Sequence, residues 1–570
     1  MSIKQQKIDK LWGKAQQEFN SKNYKPCTAT IKKILKLNPN VIREVYYLLA
    51  EAQFQLGRYT EATQTLHRLL HVFKSPTSIE LNLQARIALA QFNEVKAIEL
   101  YEKAIALSGG SAANASRLAL AELHKKGAWY DKVIELAKPA LNEQGSYFSA
   151  AKLLIEAYLE LGQKDNANML AEQMLQRIRL DPSAINRAEL VELFLHQGYL
   201  DKAEILLYQL NMPFTLEDRV AELLFLAHKG DYAQCKSKYE KIRRGDHAMV
   251  NYDMARVYDK LGDFQRAYEL IQGAAKLHLQ SRVQKPVQFN DALKQLKASL
   301  SRQHGPETSK SPVFIGGFPR SGTTLLDTVL DTQQQLYVLS ESHALAQTIN
   351  YMENTLGLSC ETDLHKLTAE QIDELRGVYL DFARRYFGDE NIQLEQIVDK
   401  SPYHTLLIPF IIVVFPRAKF ITPIRHPFDV LLSCFKQNFA ANRMNNLLLT
   451  LDSAVQLYSS VFALWLEFKE HAQQSFLEIK YEDLVQDFDN QMQQVFDFIG
   501  IEADDSYKEF DKFAREKKHV TSASKDQVTQ KLYKGSINTW HNYADKLLPY
   551  APQLESIAAH YGYSLSFDDK

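Results

Sequence analysis

The sequence predicts an α + α/β protein, in which an N-terminal α-solenoid precedes a P-loop-like, three-layer α/β domain with a parallel sheet. In the first 280 residues, glycines recur at intervals of about 34 residues, with one position skipped, and such a period indicates stacked helix pairs. Beyond residue 312, short apolar runs alternate with helical stretches, which favours parallel strands with helices on both faces. The recurring glycines are Gly57, Gly127, Gly162, Gly198, Gly230 and Gly262.

The composition of the 570 residues is that of an ordinary globular protein, with 45% hydrophobic residues, 24% charged residues and a net charge of -2. Because no long block of like charge is present, we expect no nucleic-acid partner. We expect no signal peptide and no membrane span, since the longest apolar run, Leu406 to Phe415, is too short. The four cysteines are far apart, which argues against a disulfide framework or a structural zinc site and favours a cytoplasmic location.

The helix pairs share a local pattern, visible in Ala50 to Thr63, Phe225 to Cys235 and Met254 to Leu270. Small and aromatic residues are followed by Gly, a polar residue, an aromatic, and an Ala or Cys that opens the next helix. This pattern resembles, in degenerate form, the tetratricopeptide repeat family. Glycine ends a helix in the left-handed conformation, and stacked pairs bury a continuous core. The resemblance implies about seven helix pairs and a surface for a peptide or protein partner.

The repeat pattern stops after Leu270, and a linking segment follows. Phe289 to Arg302 is predicted to form one further helix, and His304 to Pro312 is predicted to be a linker. We therefore divide the chain into a solenoid over 1–280, a linking helix and loop over 281–311, and an α/β domain over 312–570.

The strongest motif runs from Ser311 to Asp331, SPVFIGGFPRSGTTLLDTVLD, and predicts a strand, a glycine-rich loop and a helix. Backbone N–H groups of such a loop bind an anion at the helix N-terminus. The lysine of a nucleoside-triphosphate P-loop is absent, because Thr323 follows Gly322, and Arg320 supplies the cation instead. The loop therefore favours an anion less charged than a triphosphate, without an obligatory metal.

The segment GFPRSGTTLL resembles the 5′-phosphosulfate loop of the sulfotransferases that use 3′-phosphoadenosine 5′-phosphosulfate (PAPS). The resemblance extends from Pro312 to about Tyr563 and is closest to the tyrosylprotein sulfotransferases and their bacterial relatives with tetratricopeptide repeats. It implies transfer of a sulfuryl group from PAPS to a hydroxyl, with 3′-phosphoadenosine 5′-phosphate (PAP) as the second product. No metal is implied.

The resemblance also implies the residues that bind the donor. Arg425 ends an apolar run and Ser433 lies on the following helix, as in the 3′-phosphate site of the family, and Tyr481 matches its tyrosine near the adenosine. In LYKGSINTWHNY, Lys534 and Gly535 match the segment that closes over the donor, with Trp540 as its anchor. The implied phosphosulfate loop consists of Arg320, Ser321, Gly322, Thr323 and Thr324.

Three further positions match catalytic residues of the family. Glu341 matches the glutamate base, Lys400 the lysine at the bridging oxygen of PAPS, and Ser524 the serine that works with that lysine. Ser522 is an alternative to Ser524 because it lies two residues away. The second choices for the base are His404, which is four residues after Lys400 where the small-molecule enzymes have an offset of two, and His343.

The chain departs from the tyrosylprotein enzymes after the base, where Ser342, His343 and Ala344 replace an acidic residue and an arginine. The acceptor hydroxyl is therefore left open between protein tyrosine and another peptide, protein or oligosaccharide docked on the repeats. The alternative functions are a nucleotide kinase on a related fold and a repeat scaffold whose transferase domain does not catalyse. The absent P-loop lysine argues against the first, and the presence of all the matched residues argues against the second.

Overall fold

A computed structural model describes residues 3–39, 41–91, 93–108, 113–126, 129–161, 163–180, 187–196, 198–209, 215–242, 248–281, 297–299, 310–439, 441–472, 474–516, 528–532 and 535–566. These divide into two compact units. The first comprises Met1–Tyr158 and Lys164–Met174, and the second comprises Leu159–Gln163 and Leu175–Lys570. The predicted domain boundaries at 280 and 312 remain predictions.

The N-terminal half is helical, and successive helices pack against one another over residues 3–137 and again over residues 187–281. Helices α1 to α16 are Ile3–Asn20, Tyr24–Leu37, Arg43–Gln55, Tyr59–Phe73, Ser78–Ala90, Glu94–Leu107, Asn114–Lys126, Tyr130–Ala137, Tyr147–Glu160, Lys164–Leu180, Arg187–His196, Leu200–Glu204, Leu216–Lys229, Tyr232–Ile242, Ala248–Lys260 and Phe264–Ser281. This helical region confirms the first part of the predicted fold class. Its tetratricopeptide type remains a prediction.

Four of the recurring glycines adopt the left-handed backbone conformation that the pattern predicts. Gly57, Gly198, Gly230 and Gly262 have φ between 71° and 81°. The aromatic that follows packs back onto its own pair, as where the rings of Tyr59 and Phe54 lie 5.8 Å apart. Gly127 and Gly162 lie outside the described residues, as does most of the predicted linker.

The C-terminal half contains a five-stranded parallel sheet of order β2-β3-β1-β4-β5. The strands are β1 Val313–Ile315, β2 Tyr337–Ser340, β3 Ile397–Lys400, β4 Lys419–Ile424 and β5 Phe476–Lys480. Strands β1, β3, β4 and β5 lie in the four short apolar runs that predict strands, namely 313–317, 396–400, 419–425 and 475–481, and β2 is an additional strand. The α/β part of the predicted fold class is therefore confirmed. The apolar run Leu406 to Phe415 forms a 3-10 turn and a short buried helix.

Helices cover both faces of the sheet. Helices α17 to α27 are Thr323–Leu330, Ala344–Asn354, Ala369–Phe387, Ile408–Val414, Pro427–Phe435, Leu451–His471, Tyr481–Gln486, Phe488–Ile499, Phe510–Glu516, Ala544–Leu547 and Ala551–His560. Alternate residues of β1 face opposite layers, since Val313 and Ile315 pack in a core with α17 and α24. Phe314 instead contacts the rings of Phe415 and Phe420.

Candidate functional site

The register of the parallel strands brings the chemically important residues to one edge of the sheet. Lys400, the last residue of β3, lies between Ile315 of β1 and Ser340 of β2. The glycine-rich loop follows β1 and Glu341 follows β2, while Arg425 and Tyr481 follow β4 and β5. Ligands of parallel α/β sheets bind at this carboxyl edge.

The glycine-rich loop is held in a strained, closed shape before α17. Its residue Arg320 has φ 68° and Gly322 has φ 112°. A Cβ atom on Gly322 would lie 2.8 Å from Cδ2 of Tyr481, so only glycine fits there. The hydroxyl of Ser321 donates to the Phe318 carbonyl at 2.7 Å, and the N–H of Gly317 donates to a threonine hydroxyl at 2.8 Å.

Two arginines connect the loop to the rest of the edge. Nε of Arg320 donates to Oγ of Ser433 at 3.0 Å. Arg425 donates to the carbonyls of Arg320 and Ser536 at 2.8 and 2.6 Å, and its guanidinium lies 4.7 Å from the ring centroid of Tyr481. Within the described part of the chain, the buried Nε of Arg425 has no hydrogen-bond partner. A buried donor of this kind suits a phosphate oxygen.

A cleft with an empty volume of about 530 Å³, including the part that is open to solvent, lies beside the loop. It brings together six of the residues predicted to bind the donor, a role that remains a prediction: Arg320, Gly322, Thr323, Thr324, Arg425 and Tyr481. The lining residues are Arg320, Gly322, Thr323, Thr324, Leu325, Arg425, Tyr481, Phe510, Val528, Gln530 and Leu532. The loop and the basic side chains supply anion donors, and the aromatic and aliphatic side chains supply a flat apolar wall, so the residues present fit a nucleotide with phosphate groups.

The segment after Gly535 is anchored by Asp429, a residue that the sequence reasoning missed. Asp429 is fully buried and accepts hydrogen bonds from the backbone N–H groups of Asn538 and Trp540 and from the Thr539 hydroxyl, at 2.7 to 3.0 Å. Trp540 is 2% exposed and stacks on the ring of His426, at 5.1 Å between ring centroids. Its predicted anchoring role matches this packing. Lys534 lies outside the described residues.

Lys400 is at the centre of a charged cluster. Its Nζ lies 2.9 Å from Oε1 of Glu341 and 3.0 Å from Oδ2 of Asp327, on α17. Lys400 is completely buried, Asp327 is 3% exposed and Glu341 is 37% exposed. Burial alone lowers the pKa of Lys400, but the charges of Asp327 and then Glu341 outweigh it, and the pKa lies above its ordinary value. Lys400 is therefore a cation at neutral pH.

The other predicted catalytic residues lie elsewhere or outside the described residues. His404 is 5% exposed and packs against Phe314 in the core, where burial lowers its pKa to about 3. A histidine that stays neutral in the core is a poor choice of base. His343 is half-buried at the N-cap of α18. Ser522 and Ser524 lie outside the described residues, so the choice between them remains open.

Sequence signals for the missed residues were weak. Asp327 lies in a largely apolar run from Leu325 to Leu330, and a carboxylate at such a position requires a buried partner. Asp429 follows Arg425 by four residues within RHPFDV, and nothing local indicates its partners. Among the residues described, no group of three or more His, Cys, Asp or Glu side chains is arranged to bind a metal ion.

Comparisons with known proteins find sulfotransferases among the proteins that are similar to this chain. Residues 312–505 match the model of the sulfotransferase family. Over 443 residues, or 73% of its length, the chain is 23% identical to an uncharacterized protein of Aquifex aeolicus (strain VF5), of which it covers 51%. Over 249 residues, or 42% of its length, the chain is 20% identical to Protein-tyrosine sulfotransferase A of Caenorhabditis elegans, of which it covers 64%. The chain thus spans between half and two thirds of the length of these relatives.

Two solved structures are also similar to the chain. The sulfotransferase domain of the Synechococcus PCC 7002 olefin synthase is 23% identical, with a TM-score of 0.32, and the alignment covers 46% of this chain and all of that domain. The sulfotransferase domain of the curacin biosynthetic pathway is 20% identical, with a TM-score of 0.33, and covers 45% of this chain and 99% of that domain. Because residues 312–505 match the family model, we assign a sulfotransferase-family domain to this part of the chain.

Proposed function

We propose that the protein transfers a sulfuryl group from PAPS to an acceptor hydroxyl and releases PAP. The observation that carries the proposal is the meeting of three features at one sheet edge: the loop with Arg320, the Arg425 N–H that has no partner among the described residues, and the Lys400–Glu341 pair. The loop suits the 5′-phosphosulfate of a nucleotide, and the Arg425 N–H suits its 3′-phosphate. The Lys400–Glu341 pair suits removal of the proton from the acceptor hydroxyl beside a departing phosphate.

In this reaction the acceptor oxygen forms a bond to sulfur while the bond from sulfur to the bridging oxygen of PAPS breaks. Glu341, the more exposed carboxylate of the pair, takes the acceptor proton. The ammonium of Lys400 is completely buried beside Glu341, and its positive charge stabilises the negative charge that develops on the departing oxygen. The loop and Arg425 hold the donor in place, and no metal is needed.

Calorimetry with the full chain tests donor recognition. Without magnesium, PAP should bind at least tenfold tighter than ATP, a difference of about 1.4 kcal/mol, because only PAP offers a 3′-phosphate to Arg425 and Ser433. Turnover of PAPS to PAP should follow with a suitable hydroxyl. Equal affinity for the two nucleotides would instead favour a kinase. Tight PAP binding without turnover on any hydroxyl would favour a non-catalytic scaffold.

We further propose that the acceptor is large, namely a peptide, a protein or an oligosaccharide. A small phenol or sugar would need no second docking surface, whereas sixteen helices precede the sheet in the described chain. The relative from Caenorhabditis elegans is named for protein tyrosine, but Ser342, His343 and Ala344 depart from the expected tyrosylprotein motif after the base. Docking on the helices would raise the local concentration of the acceptor hydroxyl near Glu341.

The expected cytoplasmic location stays a proposal. All four cysteines are free thiols in the structure, and three of them are buried. Of the helices that the structure describes, none combines the length and the apolar character needed to cross a membrane.

A further inference from the structure

One buried carboxylate at the site has no part in the reaction proposed above. Asp327 lies on α17, directly after the loop, and is 3% exposed. Its Oδ2 lies 3.0 Å from Nζ of Lys400 and accepts a hydrogen bond from the hydroxyl of Ser340 at 2.6 Å. A buried carboxylate is costly unless it is paired. The position of Asp327 therefore depends on Lys400.

The two carboxylates beside Lys400 differ in access to solvent. Glu341 is 37% exposed, so an acceptor hydroxyl can approach it, whereas Asp327 is enclosed by its own helix and by β2 and β3. When Glu341 takes the acceptor proton it becomes neutral. The completely buried Lys400 would then have no compensating charge from Glu341 at the moment when the bridging oxygen gains negative charge.

We propose that Asp327 is a positioning residue, which holds the ammonium of Lys400 at the end of β3 and keeps it charged while Glu341 carries the acceptor proton. This inference rests on the proposed sulfuryl transfer. It assigns different roles to two carboxylates within 3 Å of one nitrogen: the exposed one exchanges a proton, and the buried one keeps its charge throughout.

The pH profile of Asp327→Asn separates this role from a purely structural one. Asparagine keeps the size of the side chain but removes the charge that raises the pKa of Lys400, so that pKa falls and Lys400 becomes neutral at a lower pH. The basic limb of kcat should therefore move down by about one pH unit or more. Turnover at neutral pH should fall by about tenfold.

The matched control is Asp331→Asn, the same change at the C-cap of the same helix, away from Lys400. It should leave the basic limb where it is in the wild type. An active Asp327→Asn enzyme with an unmoved basic limb would overturn the inference but not the proposed function. A wild-type chain that binds PAP and turns over no hydroxyl would instead count against the proposed function.

A stability measurement covers the case in which Asp327→Asn folds poorly. If Asp327 compensates the buried charge of Lys400, the double variant Asp327→Asn/Lys400→Gln should unfold at a higher temperature than the single variant Asp327→Asn. The reason is that the double variant has no unpaired buried charge. A double variant as unstable as the single one would show that Asp327 serves packing alone. That result would overturn the inference without any assay of turnover.

Discussion

Two non-glycine residues of the site, Arg320 and Glu341, have left-handed backbones, with φ 68° and 49°. Such a conformation costs on the order of 1–3 kcal/mol and persists only where the surroundings enforce it. The carbonyl of Arg320 accepts from Arg425, and the N–H of Glu341 donates to the Lys400 carbonyl at 2.7 Å. The strain thus positions one loop cation and one carboxylate toward the same sheet edge.

The assignment of Glu341 as base gives the first prediction. Glu341→Gln keeps the size of the side chain and removes the proton acceptor, so turnover should fall by roughly 10² to 10⁴ while PAP affinity barely changes. Steady-state kinetics and calorimetry measure the two quantities. The control is His343→Asn, which should keep most of the activity. If His343→Asn is inactive and Glu341→Gln is not, the base has been chosen wrongly.

A second prediction concerns the guanidinium of Arg425. Lysine at this position would keep the charge but lose the planar fork that contacts the Arg320 and Ser536 carbonyls and retains a buried N–H. Arg425→Lys should weaken PAP binding by about tenfold or more in calorimetry, with a smaller effect on ATP, which has no 3′-phosphate. Arg417→Lys, at an exposed position before β4, is the control and should bind PAP like the wild type. Equal losses for PAP and ATP would contradict a 3′-phosphate contact.

At the scale of elements, the donor cleft depends on a segment that has little regular structure of its own. Residues 535–543 are turns and one 3-10 helix, and Asp429 on α21 satisfies three of their donors. The same segment provides the Ser536 carbonyl to Arg425 and the Ser536 hydroxyl to Tyr481 at 2.9 Å. The geometry of the donor site thus follows from how α21 holds this segment.

The third prediction tests this anchor. Asp429→Asn replaces one acceptor oxygen by an NH₂ group, which leaves a buried donor unsatisfied at a cost of about 1–3 kcal/mol. PAP affinity should fall by about tenfold and the unfolding temperature should drop, while the pH dependence of turnover stays the same. Asp505→Asn, an exposed carboxylate in a 3-10 turn, is the control. Unchanged PAP affinity in Asp429→Asn would show that the segment does not support the donor site.

At the scale of the whole molecule, the last helix pair belongs to the same compact unit as the sheet. Oδ1 of Asp259 on α15 accepts from the hydroxyl of Tyr543 at 2.5 Å and from Nζ of Lys436 at 2.7 Å. The ring of Phe264 on α16 lies 5.4 Å from that of Tyr543, which is 2% exposed. Removal of α15 and α16 would expose this surface next to the segment that contacts Arg425 and Tyr481.

The fourth prediction concerns the acceptor and the first compact unit. A chain that begins at Asp181 lacks α1 to α10 but keeps α15 and α16. Its apparent KM for the natural acceptor should rise by about tenfold or more, because the docked acceptor loses its high local concentration. Its KM for a small surrogate hydroxyl should stay the same, and unchanged PAP affinity checks that the shortened chain is folded. An unchanged KM for the natural acceptor would leave the helices as an assembly surface.

Local sequence was sufficient to predict most of the strands and the meeting of the loop, Arg425 and Tyr481 at one sheet edge. The alternation of short apolar runs identified four of five strands, since a buried strand needs only a few consecutive apolar residues. It missed β2, whose run Tyr337–Ser340 is short and half-buried at both ends. The loop, Arg425 and Tyr481 were predictable because each follows a strand, and the carboxyl ends of parallel strands meet at one edge.

The sequence by itself therefore determined the helical and α/β halves, the anion loop without the P-loop lysine, and the candidates Glu341 and Lys400. Only the tertiary structure decided which groups share a charge or a hydrogen bond. Asp327 pairs with Lys400, and Asp429 anchors a segment 109 residues away, because strand register and helix packing bring together positions distant in the chain. Periodicity along the chain reports which face of an element is buried, but the partner of a buried carboxylate depends on the neighbouring element.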